Sequence, residues 1–295
     1  MTLGVISGAD DCQRAVLALK EKRPASYTPM LEFYGKLFSL QEAALLRVDV
    51  PAIDVEPALL AVKTRDHFPL ISLADFHIDQ KASRELFYSI CRLSNSAEDG
   101  LQAAARQLKA AIDQNTWQLE DLFAGLLAED SAIFKSAAEA LQADMQSLVF
   151  ICYHSIRPSI VQCASQLKKR LKLNAHWPEG YCPICGSPPG LSVLDDAGQR
   201  FMVCGFCWHQ WPVMRGGCPF CKDQKRQLQR YFYSETEREY RVDTCDSCKT
   251  YLKTIDMRAL DRPVYLPLEQ VATLHLDIKA QDLGFKSHLQ LEVGG

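Results

Sequence analysis

The chain lacks any long apolar run: nothing in its 295 residues approaches the ~18 to 20 uninterrupted apolar residues that a membrane-spanning helix needs. The N-terminal residues Met1 to Asp11 contain no basic segment followed by an apolar stretch, so export is not expected. Recurrent catalytic motifs are missing as well. There is no Walker glycine loop, no dinucleotide glycine fingerprint, no His-Glu-x-x-His pair and no Gly-x-Ser-x-Gly elbow. An ordinary enzyme is therefore disfavoured, and no catalytic residue or organic-cofactor site is assigned. Net charge is also scarce: a formal value of −3 argues against a polyanion held by bulk electrostatics, so nucleic acid is not an expected partner.

Cysteine is abundant. Eight of the twelve cysteines form four Cys-x-x-Cys pairs in one stretch, namely Cys182/Cys185, Cys204/Cys207, Cys218/Cys221 and Cys245/Cys248. Two intervening residues let a tight turn aim both sulfurs at one cation, and two such pairs complete a four-sulfur tetrahedron. The stretch is expected to hold two metal ions. A disulfide framework is the bland alternative, but it belongs to small secreted domains in oxidising compartments. A reducing cytoplasm, where metal organises the thiols, is the expected setting.

At 295 residues the chain exceeds a usual single core of ~100 to 200 residues, so more than one unit is expected. Residues 1–174 read as an all-helical domain. Asp10 and Asp11 can cap a helix running to about Arg23, and Thr28-Pro29 caps another, behind which Met30, Phe33, Tyr34, Leu37, Phe38, Leu40 and Leu45 recur at helical spacing. A stretch broken by Pro51, Pro57 and Pro69 follows. Helical periodicity resumes in Ser83 to Leu93, Ala97 to Ile112 and Trp117 to Leu127, then in a long segment, Ser131 to Leu171, expected to bend near Pro158. Asn174 to Tyr181 reads as a linker.

Two tandem rubredoxin-like, or zinc-ribbon, β-hairpin modules are expected next, over residues 175–215 and 216–260. In the first, Gly190 to Leu194 and Gln199 to Val203 flank an Asp/Gly turn, bringing Cys182 and Cys185 beside Cys204 and Cys207. In the second, Leu228 to Tyr233 and Arg238 to Val242 flank a polar turn between Cys218/Cys221 and Cys245/Cys248. Cys-Pro-[Ile/Phe]-Cys opens both, which suggests an internal duplication. Site 1 is thus Cys182, Cys185, Cys204 and Cys207, and site 2 is Cys218, Cys221, Cys245 and Cys248. A cross-brace, first pair with third and second with fourth, is the rival. Residues 261–295 form a C-terminal helix and tail, with Leu268 to Leu283 as the amphipathic part.

Zinc and iron both suit four thiolates, and spacing does not separate them. From Cys182 to Arg262 there are twelve Lys/Arg against ten Asp/Glu, an excess that the thiolates cancel or reverse. That weakens the nucleic-acid reading of the cluster Lys222, Lys225, Arg226 and Arg230 beside Tyr231, Phe232 and Tyr233, which reads better as a solvated hairpin face. Lys168 to Lys172 reads as a helix C-terminus complementing its dipole. Cys12, Cys91, Cys152 and Cys163 have no paired spacing and are expected to be buried hydrophobes. His209 is expected to pack or hydrogen-bond near a cluster rather than ligate, and Trp208 and Trp211 to shield one.

The helical half followed by Tyr181-Cys-Pro-Ile-Cys-Gly-Ser-Pro-Pro-Gly190, Cys204-Gly-Phe-Cys-Trp208, Cys218-Pro-Phe-Cys221 and Thr244-Cys-Asp-Ser-Cys-Lys-Thr-Tyr-Leu-Lys253 resembles the formate dehydrogenase accessory protein family, FdhE. The resemblance covers most of the chain, and its specificity comes from Tyr181 to Met257. It implies a cytoplasmic maturation factor that is needed for active respiratory formate dehydrogenase but absent from the finished enzyme. It also implies the enzyme's catalytic subunit as partner and iron as the cofactor in two four-cysteine rubredoxin-like sites, with zinc as the alternative metal. A rubredoxin-like electron carrier is the competing function, and a nucleic-acid-binding zinc ribbon a more distant one.

Overall fold

A computed structural model of the chain describes residues 8–97, 99–171, 177–214 and 216–288. The chain divides into two compact units, a helical one formed by Ser7–Ile53 and Ser72–Gln166 and a second formed by Asp54–Ile71 and Leu167–Gln290. The expected linker, Asn174 to Tyr181, begins outside the described residues, as does Lys172 at the end of the basic run.

The helical unit contains α1 (Ala9–Lys22), α2 (Thr28–Leu45), α4 (Gln80–Leu93), α5 (Asp99–Asp113), α6 (Leu119–Leu127), α7 (Ser131–Leu141) and most of α8 (Met145–Lys168). Asp10 and Asp11 sit inside the first turn of α1, where carboxylates complement the helix dipole, and Gly8 takes the cap position. Asp79 caps α4 by accepting from the Ala82 N–H at 2.9 Å. Leu31, Leu37, Phe87, Ile90, Leu108, Leu119, Phe123, Phe134, Ile151 and Ile156 are among the buried side chains of this unit.

The long segment after Ser131 breaks earlier than its sequence suggests. Gln142 turns left-handed at φ 49° and ends α7, and Asp144 then accepts from the Ser147 N–H at 2.7 Å to start α8. Helix α8 continues through Pro158. A proline leaves the carbonyl four residues earlier without its helical donor, and here that carbonyl, of His154, accepts from Gln41 Nε2 at 2.8 Å.

The second unit is built on a seven-stranded mixed sheet: β1 (Pro189–Leu194), β2 (Arg200–Cys204), β3 (Gln210–Val213), β4 (Gln229–Ser234), β5 (Glu237–Cys245), β6 (Thr250–Asp256) and β7 (Lys286–Ser287). The strand order is β3-β2-β1-β6-β5-β4, with β7 also on β6. Both expected hairpins, β1–β2 and β4–β5, are present and antiparallel. They are not separate, because β1 lies parallel to β6, with Ser192 opposite Thr254.

One face of the sheet buries Leu191, Val193, Val203, Tyr240, Val242 and Ile255 against Val264, Leu266, Leu276 and Ala280 of the C-terminal segment. That segment holds two short helices, α9 (Leu266–Ala272) and α10 (Leu274–Asp282), where one was expected. Thr273 interrupts them, its hydroxyl donating to the Glu269 carbonyl at 2.8 Å. Arg262 pairs bidentately with fully buried Glu269 at 2.6 and 2.9 Å, and Tyr240 donates to the same carboxylate.

The opposite face carries a polar chain across both hairpins. Asp243 on β5 accepts from Arg200 on β2 at 3.0 Å and from Thr254 on β6, and Thr254 also bonds Ser192 on β1. Arg200, Ser192 and Thr254 are buried, so these groups satisfy one another where water does not.

Candidate metal centre

Four turns of common geometry present the eight sulfurs. The residue after each second cysteine is left-handed: Gly186 at φ 78°, Trp208 at 61°, Lys222 at 59° and Lys249 at 57°. In three of the turns its N–H returns to the carbonyl of the first cysteine, Gly186 to Cys182 at 2.9 Å, Lys222 to Cys218 at 3.0 Å and Lys249 to Cys245 at 2.8 Å. The first cysteine's N–H closes the other side, Cys182 to the Ser187 carbonyl, Cys204 to His209 and Cys218 to Asp223. Three of the four turns hold a non-glycine residue in this conformation, which costs about 1 to 2 kcal/mol per residue. Gly186 has a second constraint, since a Cβ there would stand 3.1 Å from Pro69 Cγ.

The sulfurs gather as two groups of four, Cys182, Cys185, Cys204 and Cys207 in one and Cys218, Cys221, Cys245 and Cys248 in the other. In the first, Sγ atoms of Cys182 and Cys207 are 3.7 Å apart, Cys185 and Cys204 3.6 Å, and Cys185 and Cys207 3.5 Å. In the second, Cys218 to Cys248 and Cys221 to Cys245 are both 3.7 Å. A disulfide would require ~2.05 Å, whereas sulfurs ~2.3 Å from a central zinc would lie ~3.8 Å apart. The donor sets therefore fit a tetrahedral ion, and each group could hold one.

Main-chain N–H groups from the turns point at the sulfurs: Ile184 to Cys182 at 3.4 Å, Phe206 to Cys204 at 3.4 Å and Cys207 to Cys204 at 3.3 Å. Such donors favour thiolate. Burial pushes the Cys182 and Cys207 thiols up, while hydrogen bonds from Cys182, Cys204 and Cys207 hold Cys185 well below the usual thiol range. In the second group burial raises Cys218 and Cys245. At Cys221 burial opposes ionisation, yet hydrogen bonds from the Asp223 main chain and the other three sulfurs lower it on balance.

The two groups differ in their surroundings. All four residues of the first are buried, whereas Cys221 is exposed and Cys248 half-buried. The segment Asp54–Ile71, which carries α3 (Pro57–Arg65), belongs to this unit and lies against the first turn. Leu70 N–H donates to the Pro183 carbonyl and Ile71 N–H to the Ile184 carbonyl, both at 3.0 Å, and Tyr181 donates to the His67 carbonyl at 2.9 Å. Nothing in the sequence points to this contact, because proline interrupts the segment's periodicity and its partner lies over a hundred residues away.

Other side chains singled out by type stand aside from the sulfurs. His209 is buried and stacks on Trp211 at 6.2 Å, and burial pushes its imidazole down to about 3, so it is neutral. Trp211 is fully buried in β3, and Trp208 packs on the sheet core. Cys12, Cys91, Cys152 and Cys163 are free and buried, and burial raises Cys12 to about 11 and Cys91 to about 12. In the basic and aromatic cluster, Lys222 pairs with Glu179 and Arg230 with Asp246. Tyr231 and Tyr233 stack at 6.2 Å, with Arg241 over Tyr231.

A helical unit joined to a mixed sheet with two four-cysteine groups and C-terminal helices defines the class of protein. Residues 181–215 match the model of the FdhE central domain. The chain is 25% identical over 273 residues to the FdhE homolog of Aquifex aeolicus, covering 90% of this chain and 88% of the relative. It is 29% identical over 261 residues to the FdhE homolog of Yersinia enterocolitica, covering 86% and 78%. The match to FdhE of Salmonella arizonae is 25% over 217 residues, covering 72% of this chain and 65% of that one. The crystal structure of the FdhE protein from Pseudomonas aeruginosa shares the fold, with a TM-score of 0.65 at 22% identity over 95% of this chain and 92% of that one. The chain is thus similar to FdhE proteins over most of its length, and residues 181–215 carry the match to the family's central domain. No helix among the described residues is long and apolar enough to cross a membrane.

Proposed function

We propose that the protein is a cytoplasmic, non-enzymatic accessory factor that binds the catalytic subunit of respiratory formate dehydrogenase during its maturation. In this reading Cys182, Cys185, Cys204 and Cys207 hold one metal ion and Cys218, Cys221, Cys245 and Cys248 another, iron or zinc. The observation that carries it is the gathering of eight unbridged sulfurs into two four-sulfur donor sets in a chain similar to FdhE proteins. A bound ion supplies cross-linking free energy, on the order of 10 to 16 kcal/mol for structural zinc in small peptides. The chain's own part is to hold sulfurs and N–H donors in place on a shared sheet, which keeps the surface around them rigid enough for another polypeptide to dock.

Capture of the catalytic subunit by the full chain, compared with Cys185→Ser and Cys221→Ser variants, tests the reading. Capture should fall with each lost site, and undiminished capture by a double variant that has lost both ions would overturn it. The exposure of Cys221 favours one second reading, a rubredoxin-like electron carrier. Absorption and metal analysis of anaerobically purified protein separate the two, because ferric thiolate is red and a colourless zinc protein carries no electrons.

A further inference from the structure

The two four-cysteine groups are alike in turn geometry and unlike in access. Around the first, the cysteines are at most 6% exposed, and the strip His67 to Ile71 covers its opening turn with three hydrogen bonds. Around the second, Cys221 faces solvent directly and Cys248 is partly open. The remaining two, Cys218 and Cys245, line a cavity of about 200 Å³. The second group is thus reached from solvent through Cys221 and Cys248, while Cys218 and Cys245, 6% and 3% exposed, border the cavity.

That cavity has a charge preference. Arg200, Arg230 and Arg241 line it together with a single carboxylate, Asp243. Asp243 is bound by both Arg200 and Arg241, while Arg230 pairs with Asp246 outside the lining. Three guanidinium groups thus stand beside one carboxylate and the Cys218 and Cys245 sulfurs. The Arg230 side chain, 73% exposed, offers an anionic group entering beside Cys218 and Cys245 an ionic and hydrogen-bonding partner.

We infer that the second four-cysteine group is an exchange-competent site, open through the arginine-lined cavity to an incoming anionic donor such as a small thiolate, while the first is sealed and structural. The inference rests on the metal-site reading above. It assigns the groups different roles: the first holds the fold, and the second is where an external ligand or partner thiol makes contact.

The test uses full-length zinc-loaded protein and two disulfide probes, dianionic 5,5′-dithiobis(2-nitrobenzoate) and neutral 4,4′-dithiodipyridine. In each event a cysteine thiolate attacks the probe, forms a mixed disulfide and frees one aromatic thiol, which is followed by absorbance. Four cysteines should react at least about tenfold faster than the rest, since local access rather than global unfolding governs them. Peptide mass spectrometry should place them at Cys218, Cys221, Cys245 and Cys248, with one zinc released. Arg230→Gln should slow the dianion severalfold and leave the neutral probe unchanged. Tyr181→Phe should hasten only Cys182, Cys185, Cys204 and Cys207. A single phase, a fast set containing first-group cysteines, or equal effects of Arg230→Gln on both probes would overturn the inference. Fewer than two zinc ions per chain at the outset would instead overturn the metal-site reading, and the order of thiol reaction would still decide this one.

Discussion

The Gln41 side chain donates to the main-chain carbonyl of His154, the acceptor that Pro158 leaves without its helical N–H. The same amide nitrogen lies 2.9 Å from His154 Nδ1, and its oxygen accepts from Arg157. One glutamine thereby repairs a proline defect in a helix 113 residues away. Replacing it with leucine should destabilise the helical unit by about 1 to 3 kcal/mol, the cost of an unpaired buried carbonyl. Chemical denaturation followed by circular dichroism measures it, and Pro158→Ala in the Gln41→Leu background should recover part of the loss.

His154 gives the helical unit a pH dependence. Burial pushes its imidazole down to about 3 from an ordinary 6.5, with the neighbouring Arg157 charge adding to the effect. Between those values the unfolded chain binds a proton that the folded one does not, so stability is complete above pH 6.5 and declines as pH falls toward 3. The slope in that window is about 1.4 kcal/mol per pH unit. His154→Gln should flatten the slope of unfolding free energy against pH between 6 and 4.

Asp243 is where the two hairpins meet electrostatically. Arg200 is buried and pairs with Asp243, so removing the carboxylate strands a buried cation. Asp243→Asn should lower stability by about 3 to 5 kcal/mol, and the loss should shrink in the double variant Arg200→Met/Asp243→Asn. A double-mutant cycle on thermal unfolding reads the coupling.

Arg262 and Glu269 anchor the C-terminal helices in the same manner. Glu269→Gln keeps the shape but breaks the bidentate pair, and about 2 to 4 kcal/mol should be lost. Protease digestion should then cut first between Arg262 and Leu283, leaving the hairpins intact longer.

The metal-site candidates could be read from spacing alone because a Cys-x-x-Cys turn is a local device: its left-handed fifth residue and return hydrogen bonds lie within six residues. Hairpins β1–β2 and β4–β5 were legible for the same reason. Three features were not. The break at Gln142 depends on a left-handed glutamine, which has no sequence signature as glycine would. Thr273, a residue compatible with helix interiors, divides the C-terminal helix. The cover from His67 to Ile71 and the parallel pairing of β1 with β6 join residues distant in sequence, and no periodicity encodes a partner.

The pairing of Ser192 with Thr254 spans 62 residues. During synthesis the first hairpin leaves the ribosome with its β1 edge uncovered, and its neighbouring strand arrives only after the whole second hairpin has been made. The nascent chain therefore passes through a stage with an open strand edge and an incomplete sheet. Premature ending or stalling between Cys204, where the first hairpin is complete, and Thr250, where β6 begins, would leave that edge free to capture a strand from another chain.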